Sequence, residues 1–396
     1  MAQFQLGHVD HCSMGAFLQR SLTMKNEPEQ SGRLASLDAL RGFDMFWIVG
    51  GEGLVFALAG FSSRPVFAWA EHQMRHVPWE GFVFYDMIFP LFLFIAGISL
   101  PFSIAKRKRL GESPKTIYWH LVRRLLLLLL LGAIYNGLLR FDFVHQRYAS
   151  VLGRIGLAWF FAAVIVMNTS LRGQIIWFIG SLLSYWAAMK LIPVPGFGAG
   201  VLTPEGNLCA FIDQKLLPGS FCCYRFGDNE GILGTLPAVS TALLGVLTGH
   251  LLMSGNSRLS GLKKGLILFG TGLALLVLGK SWGLVFPIIK NLWTSSYVLY
   301  AGGWSLLLLS VFYLLIDVWK IKAWSLPFAV IGLNSITIYL LFDRIIDFEK
   351  MSQFFFAGII RLFHEPFRPV VSAAGLIICV WALLYLLYRK RIFLKV

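Results

Sequence analysis

Charge is scarce in this chain. Asp, Glu, Lys and Arg make up 14% of its 396 residues, where soluble domains carry about 25%. With 57% hydrophobic residues, an ordinary soluble fold is excluded. Negative charge is the scarcer sign: 20 acidic residues stand against 35 basic ones, a net charge of +15. Such an excess would suit nucleic acid if it formed a patch. Here the basic residues gather between apolar runs, as the topology signals of a membrane protein do, so nucleic acid is not an expected partner. Cysteine is also sparse, at five. There is no CxxC pair and no HExxH, which argues against a zinc site, and no metal is expected. A glycine-rich phosphate loop and a GxSxG nucleophile elbow are missing too. No apolar run precedes Gly32, so a cleaved signal peptide is not expected, and residues 1–32 read as a polar cytoplasmic tail.

What the chain does have is long hydrophobic runs. Ten segments are of spanning length: 42–61, 81–104, 117–138, 150–168, 174–192, 231–253, 261–281, 294–317, 325–346 and 369–388. The expected fold is an all-α, polytopic integral membrane bundle of ten or eleven transmembrane helices, with 33–396 as a single domain. The stretch 351–363 is short for a span and reads as an interfacial amphipathic helix. No internal repeat is visible, which argues against an inverted-repeat transporter. Basic clusters fall at 106–124, 258–264, 320–322 and 389–395. With ten spans these share one side, which the positive-inside rule makes cytoplasmic together with both termini. The longest loop on the other side, 193–230, carries Cys209, Cys222 and Cys223. A disulfide from Cys209 to Cys222 or Cys223 is expected if that side is oxidising.

Ionisable residues inside hydrocarbon are costly and mark cavities or partners. In the first span, Asp38, Arg41 and Asp44 follow one another at steps of about 60° around a helix, and Glu52 returns to within about 20° of Arg41. Arg41 is expected to be held by the two aspartates. Glu52 is expected to line a cavity, with Gly50, Gly51 and Gly53 allowing close approach. Asp86 lies in the second span, where Pro90 should kink the helix; it could orient a histidine, hold an ammonium or pair with Arg154. His72 and His76 occupy the link between these spans. Histidine exchanges protons near neutrality, and His76, close to Trp79, would hang over the outer mouth of a cavity. Arg123 and Arg124 begin the third span, well placed for the phosphates of a nucleotide-bearing donor. Weaker polar signals lie at Asp228-Asn229-Glu230, Asn291, Asn334-Ser335 and Asp343-Arg344.

The segments RLASLDALRGFDMFWIVGG, RHVPWEGFVFYDMIFPLFLFIAGISL and VLGRIGLAWFFA resemble the heparan-α-glucosaminide N-acetyltransferase family and its bacterial relatives. So do GDNEGILGTLPAVSTALLG, KNLWTSSYVLYAGGWSLLLL and VIGLNSITIYL. Together they cover roughly residues 33–388. The resemblance implies transfer of an acetyl group from cytoplasmic acetyl-CoA to the amine of a terminal glucosamine across the membrane. It places His76, before Pro78-Trp79-Glu80-Gly81, at the position implicated in transfer. It puts Glu52 where the family has an implicated asparagine, a departure that would allow a carboxylate base and a different acceptor. The family's lysosomal members carry an extra N-terminal domain and one more span, so a bacterial inner membrane is the expected setting, and a homodimer is compatible with the family. His76, Glu52 and Asp86 are then the expected catalytic residues. Arg123, Arg124, Arg41 and Arg154 are expected to bind acetyl-CoA, with an amino sugar as acceptor. The competing readings are an O-acyltransferase of an envelope glycan and a proton-coupled sugar transporter using Glu52 and Asp86.

Overall fold

The computed structural model describes residues 34–254, 259–342 and 344–394. The tail 1–32, with Cys12, and Arg258, Asp343 and Lys395 lie outside the described residues. Fourteen helices are labelled here: α1 (Ala35–Phe61), α2 (Pro65–Met74), α3 (Phe84–Arg109), α4 (Pro114–Tyr135), α5 (Val151–Asn168), α6 (Leu171–Leu191), α7 (Leu208–Leu216), α8 (Thr235–Met253), α9 (Gly261–Trp282), α10 (Ser295–Val318), α11 (Ala323–Leu333), α12 (Ser335–Leu341), α13 (Phe348–Leu362) and α14 (Glu365–Arg389). Among the described residues, strands are confined to two pairs of two-residue strands: β1 (Pro193–Val194) with β2 (Gly198–Ala199), and β3 (Cys223–Tyr224) with β4 (Gly227–Asp228).

Among the described residues, eight helices are long and apolar enough to cross a membrane, and the chain is an integral membrane protein. The pair α11–α12, bent by 61° at Asn334, is apolar enough to count as a ninth if its two halves form one span. The expected tenth, α6, has the length but is less apolar than the others. At about 1.5 Å per residue the 15-residue α13 is shorter than a bilayer core. It lies against α14 and exposes Phe354, Phe355, Ile359 and Leu362, as an interfacial helix would.

Local chemistry sets where the helices begin. Ser113, Ser150, Ser170 and Ser260 each accept a backbone N–H from the first turn of the helix that follows, and Asn207 does so for α7. Such caps satisfy donors that a helix start leaves unpaired. Pro90 does not kink α3. The helix opens as a 3₁₀ turn over Phe84–Met87 and becomes α-helical at Ile88. The missing N–H of Pro90 therefore falls in the first α turn, where no intrahelical donor is required. The real break is in α1, where Val49 and Gly50 leave helical geometry just before Glu52. Gly50 has φ of 140°, a conformation that favours glycine, and a Cβ there would sit 2.8 Å from Ile377 of α14.

The centre of the bundle is α3 against α8. Added Cβ atoms at Gly97 and Gly245 would each fall 2.1 Å from a carbonyl oxygen of the opposite helix, so the two backbones are in direct contact, as small residues permit in membranes. Leu93, Leu100, Ile155, Trp159, Ala242 and Trp293 pack around that contact. Rigid α3 thus becomes the axis whose two ends carry the site.

Candidate functional site

At its start, α3 opens on a cavity of about 550 Å³. Its lining mixes apolar residues (Met45, Ile48, Phe89, Phe92, Ile155) with His76, Tyr85, Asp86, Arg147, Glu230, Lys290, Asn229, Asn291 and Ser335. Fold and sequence separation explain how these meet. The link after α2 is tied to the loop before α10 by Gly81 N–H donating to the carbonyl of Ile288 at 2.9 Å and by a bridge between Glu80 and Ile289. Thr294 Oγ1 accepts from Ile289 N–H and donates to the carbonyl of Pro287, closing the turn that presents Lys290. The long loop joins from the side, where Trp79 Nε1–H donates to the carbonyl of Leu202 at 2.9 Å.

Asp86 is fully buried. Its Oδ1 lies 2.7 Å from His76 Nδ1 and 3.3 Å from Lys290 Nζ, and its Oδ2 accepts from Val83 N–H at 3.2 Å. Tyr297 donates to the backbone carbonyl of the same residue. A carboxylate only accepts, so Nδ1 of His76 donates to Asp86, which in an uncharged imidazole leaves the lone pair at Nε2. The His76 side chain is 50% exposed and so reaches the cavity mouth. Lys290 Nζ lies 3.0 Å from Nδ1 and 3.2 Å from Nε2 of the same ring. Burial pulls the Lys290 ammonium below the usual lysine range, and Asp86 opposes that pull. Both alternatives read for Asp86, orienting a histidine and holding an ammonium, are realised together.

Glu52 stands behind this wall. Its carboxylate accepts a short hydrogen bond from Tyr85, whose ring lies 4.9 Å from that of His76. Glu52 is absent from the cavity lining, which its partner Tyr85 joins. Asp38 pairs with Arg41 at 3.5 Å, but the expected second partner is not there: Asp44 is fully buried and both its carboxyl oxygens lack a hydrogen bond. Arg154 is also elsewhere than expected. It is buried at the first turn of α5, donates to the carbonyl of Gly231 at 2.9 Å and lies over the Trp293 ring. It does not pair with Asp86, and it lines neither cavity.

A second clamp closes the cavity's far side. Arg147 donates through Nε and Nη2 to Asp228 at 2.7 and 2.6 Å and also contacts Glu230. Cys222 N–H donates to the same Asp228, and Cys222 is bonded to Cys223. The expected bridge to Cys209 is therefore not formed. That thiol is free and buried in the first turn of α7, against Tyr185 and Met189. Burial pushes the Asp228 carboxyl up, but Arg147 and the N–H groups of Glu230 and Cys222 more than offset this and hold it below the usual carboxylate range. Burial raises Glu230. Asp228 thus contributes stability that is present above its unfolded pKa and lost as pH falls through its depressed folded value. Glu230 works in the opposite sense. Replacing Arg147 by methionine leaves two buried carboxylates without their cation and is expected to cost about 3–5 kcal/mol, read as a lowered thermal midpoint.

The other end of α3 opens on a second cavity, of about 330 Å³. Arg107, His120, Arg123 and Arg124 line it with Leu100, Leu127 and Trp159. Arg107 is paired with Glu112 at 2.8 Å. Arg124 stacks 4.1 Å over Trp159, and its Nε lacks a partner. Arg41 is near enough for its charge to act on Arg124. From Phe92, in the first cavity, to Leu100, in the second, α3 rises about 12 Å. The described residues contain no group of three His, Cys, Asp or Glu that could hold a metal.

Lys290, Arg147 and Tyr85 escaped the sequence reading. A signal existed for Lys290, a lone basic residue in a segment expected on the side opposite the basic clusters; Arg147 shares its segment with Arg140 and had none. His72, at the end of α2, lines neither cavity.

Residues 33–141 match the family described as Domain of unknown function (DUF5009). That range holds Glu52, His76, Asp86 and Arg124. Heparan-alpha-glucosaminide N-acetyltransferase of Homo sapiens is 27% identical over 429 residues, covering 92% of this chain and 60% of that protein. The protein of the same name from Mus musculus is 28% identical over 381 residues, covering 81% of this chain and 56% of that protein. The chain thus spans between half and two thirds of the length of these relatives.

Proposed function

We propose that this chain, a homologue of proteins named heparan-alpha-glucosaminide N-acetyltransferase, transfers an acetyl group from acetyl-CoA to the amine of an amino sugar held on the other side of the membrane. The observation that carries this reading is the buried Asp86 against His76 Nδ1 at 2.7 Å on the wall of a large cavity. The carboxylate fixes the ring tautomer, so Nε2 faces the cavity as a proton acceptor. An amine cannot attack a thioester while protonated or while its new N–H proton has nowhere to go, and His76 supplies that destination. The departing CoA thiolate then takes the proton back. Asn229, Asn291 and Ser335 offer neutral hydrogen-bonding groups for sugar hydroxyls beside it.

The donor fits the opposite end. The basic cavity at Arg107, Arg123 and Arg124 suits the phosphates of acetyl-CoA, since guanidinium groups pair with phosphate through charge-assisted bonds. The apolar wall between the cavities suits the pantetheine arm. The clusters of Lys and Arg at this end support a cytoplasmic location for it, with acceptor and His76 across the membrane in a proposed bacterial inner-membrane setting. A contact between a charged group and phosphate contributes about 1.5–3 kcal/mol. Arg124→Met should therefore raise the KM for acetyl-CoA at least tenfold and leave the KM for the acceptor nearly unchanged.

The test is purified protein in nanodiscs with isotope-labelled acetyl-CoA and glucosamine. Labelled N-acetylglucosamine is the expected product. Acetyl-CoA binding with label appearing only on hydroxyl acceptors would replace the amine by an oxygen nucleophile. Sugar movement driven by a pH gradient without acetyl-CoA would overturn the transferase reading.

A further inference from the structure

We infer that Lys290 is a catalytic residue whose ammonium holds the negative charge that develops on the acyl oxygen during transfer. This rests on the acetyl-transfer reading above. Lys290 Nζ is nearly equidistant from both imidazole nitrogens of His76, at 3.0 and 3.2 Å. In the ring plane such a position would collide with Cε1, which lies between the nitrogens. The ammonium therefore sits over the face of the ring and leaves the in-plane lone pair of Nε2 open to the acceptor. It also borders the cavity.

The consequence is geometric. An acceptor amine hydrogen-bonded to Nε2 lies about 3 Å from it, and the carbonyl it attacks is adjacent. With the thioester carbonyl on the face of the ring where Lys290 stands, its oxygen lies beside the ammonium. As the amine nitrogen bonds to the carbonyl carbon, the C=O π pair moves onto oxygen and the amine proton moves to His76 Nε2. The oxyanion meets the ammonium. When the adduct collapses, the C=O bond re-forms, the C–S bond breaks, and the thiolate accepts the proton from His76. A fixed positive charge aimed at that oxygen lowers the barrier without reorganising at the moment of reaction.

A lesser role would be to neutralise the buried Asp86, 3.3 Å away. A double-substitution series separates the two. Purified wild type, Lys290→Met, Lys290→Arg, Asp86→Asn and the pair Asp86→Asn with Lys290→Met are assayed with labelled acetyl-CoA and glucosamine in nanodiscs. The pair removes both charges together, so it keeps the fold testable where Lys290→Met alone does not. Lys290→Met should lower kcat by about 10²–10³-fold with both KM values within about twofold, and Lys290→Arg should recover part of the loss. The pair should be at least tenfold slower than Asp86→Asn alone. Equal turnover of the pair and Asp86→Asn would overturn the assignment and leave Lys290 as a counter-ion. A wild type that transfers no acetyl group to any acceptor would sink the transferase reading, and this assignment with it.

Discussion

Replacing His76 by alanine is expected to lower acetyl transfer by about 10²–10⁴-fold, the usual contribution of a positioned general base, while the protein stays folded. The side chain is half exposed on the cavity mouth, so its loss opens space in water rather than in the core. The loss should be confined to turnover: the proposed acetyl-CoA site is at the other end of α3, so donor affinity is expected to be unchanged. His76→Gln tests the same point more narrowly. A glutamine keeps polar contacts but takes up no proton, and it should be as slow as alanine. Restored turnover with glutamine would mean that His76 only positions the acceptor.

Asp86→Asn should be nearly as slow, for a different reason, and it should also destabilise. Asp86 is fully buried and receives His76 and Lys290 on one oxygen and Val83 N–H on the other. An asparagine can accept from His76, but its amide can equally donate, so the ring is no longer held in one tautomer. Lys290, whose side chain is 14% exposed, loses its counter-charge. Breaking a buried pair from one side costs about 3–5 kcal/mol. The expected result is a fall in kcat together with a lower thermal midpoint. A fall in stability without a fall in kcat per folded molecule would show that the pair serves the fold alone.

These two residues were legible because each broke a rule of its surroundings. A carboxylate in hydrocarbon and a histidine beside an interfacial tryptophan have few structural reasons to be there. The long helices were legible from apolar runs, α6 among them; the short α2 and α7 lay in segments read as a link and a loop, and a continuous run over α11–α12 hides the break at Asn334. Pro90 misled because a proline kinks only an established helix, and a sequence does not show where α3 begins to the accuracy of one turn. Lys290 and Arg147 were hidden by distance. Lys290 reaches His76 only through the loop pairing of Gly81 with Ile288, and Arg147 reaches Asp228 only when two loops dock. Glu52 was read as facing the cavity because an unbroken helix was assumed; the turn at Gly50 puts it behind Tyr85 instead. Cys209 is buried on α7, away from the Cys222–Cys223 bond, a placement that no spacing rule could express.

On the proposed mechanism, donor and acceptor meet from opposite sides of the membrane. This is tested most directly in sealed proteoliposomes with the protein in one orientation. Labelled acetyl-CoA is supplied on the side of Arg123 and Arg124, and glucosamine only on the side of His76. Labelled N-acetylglucosamine should accumulate on the acceptor side with wild type and not with His76→Ala. Product that forms only when both substrates share one side would contradict the account.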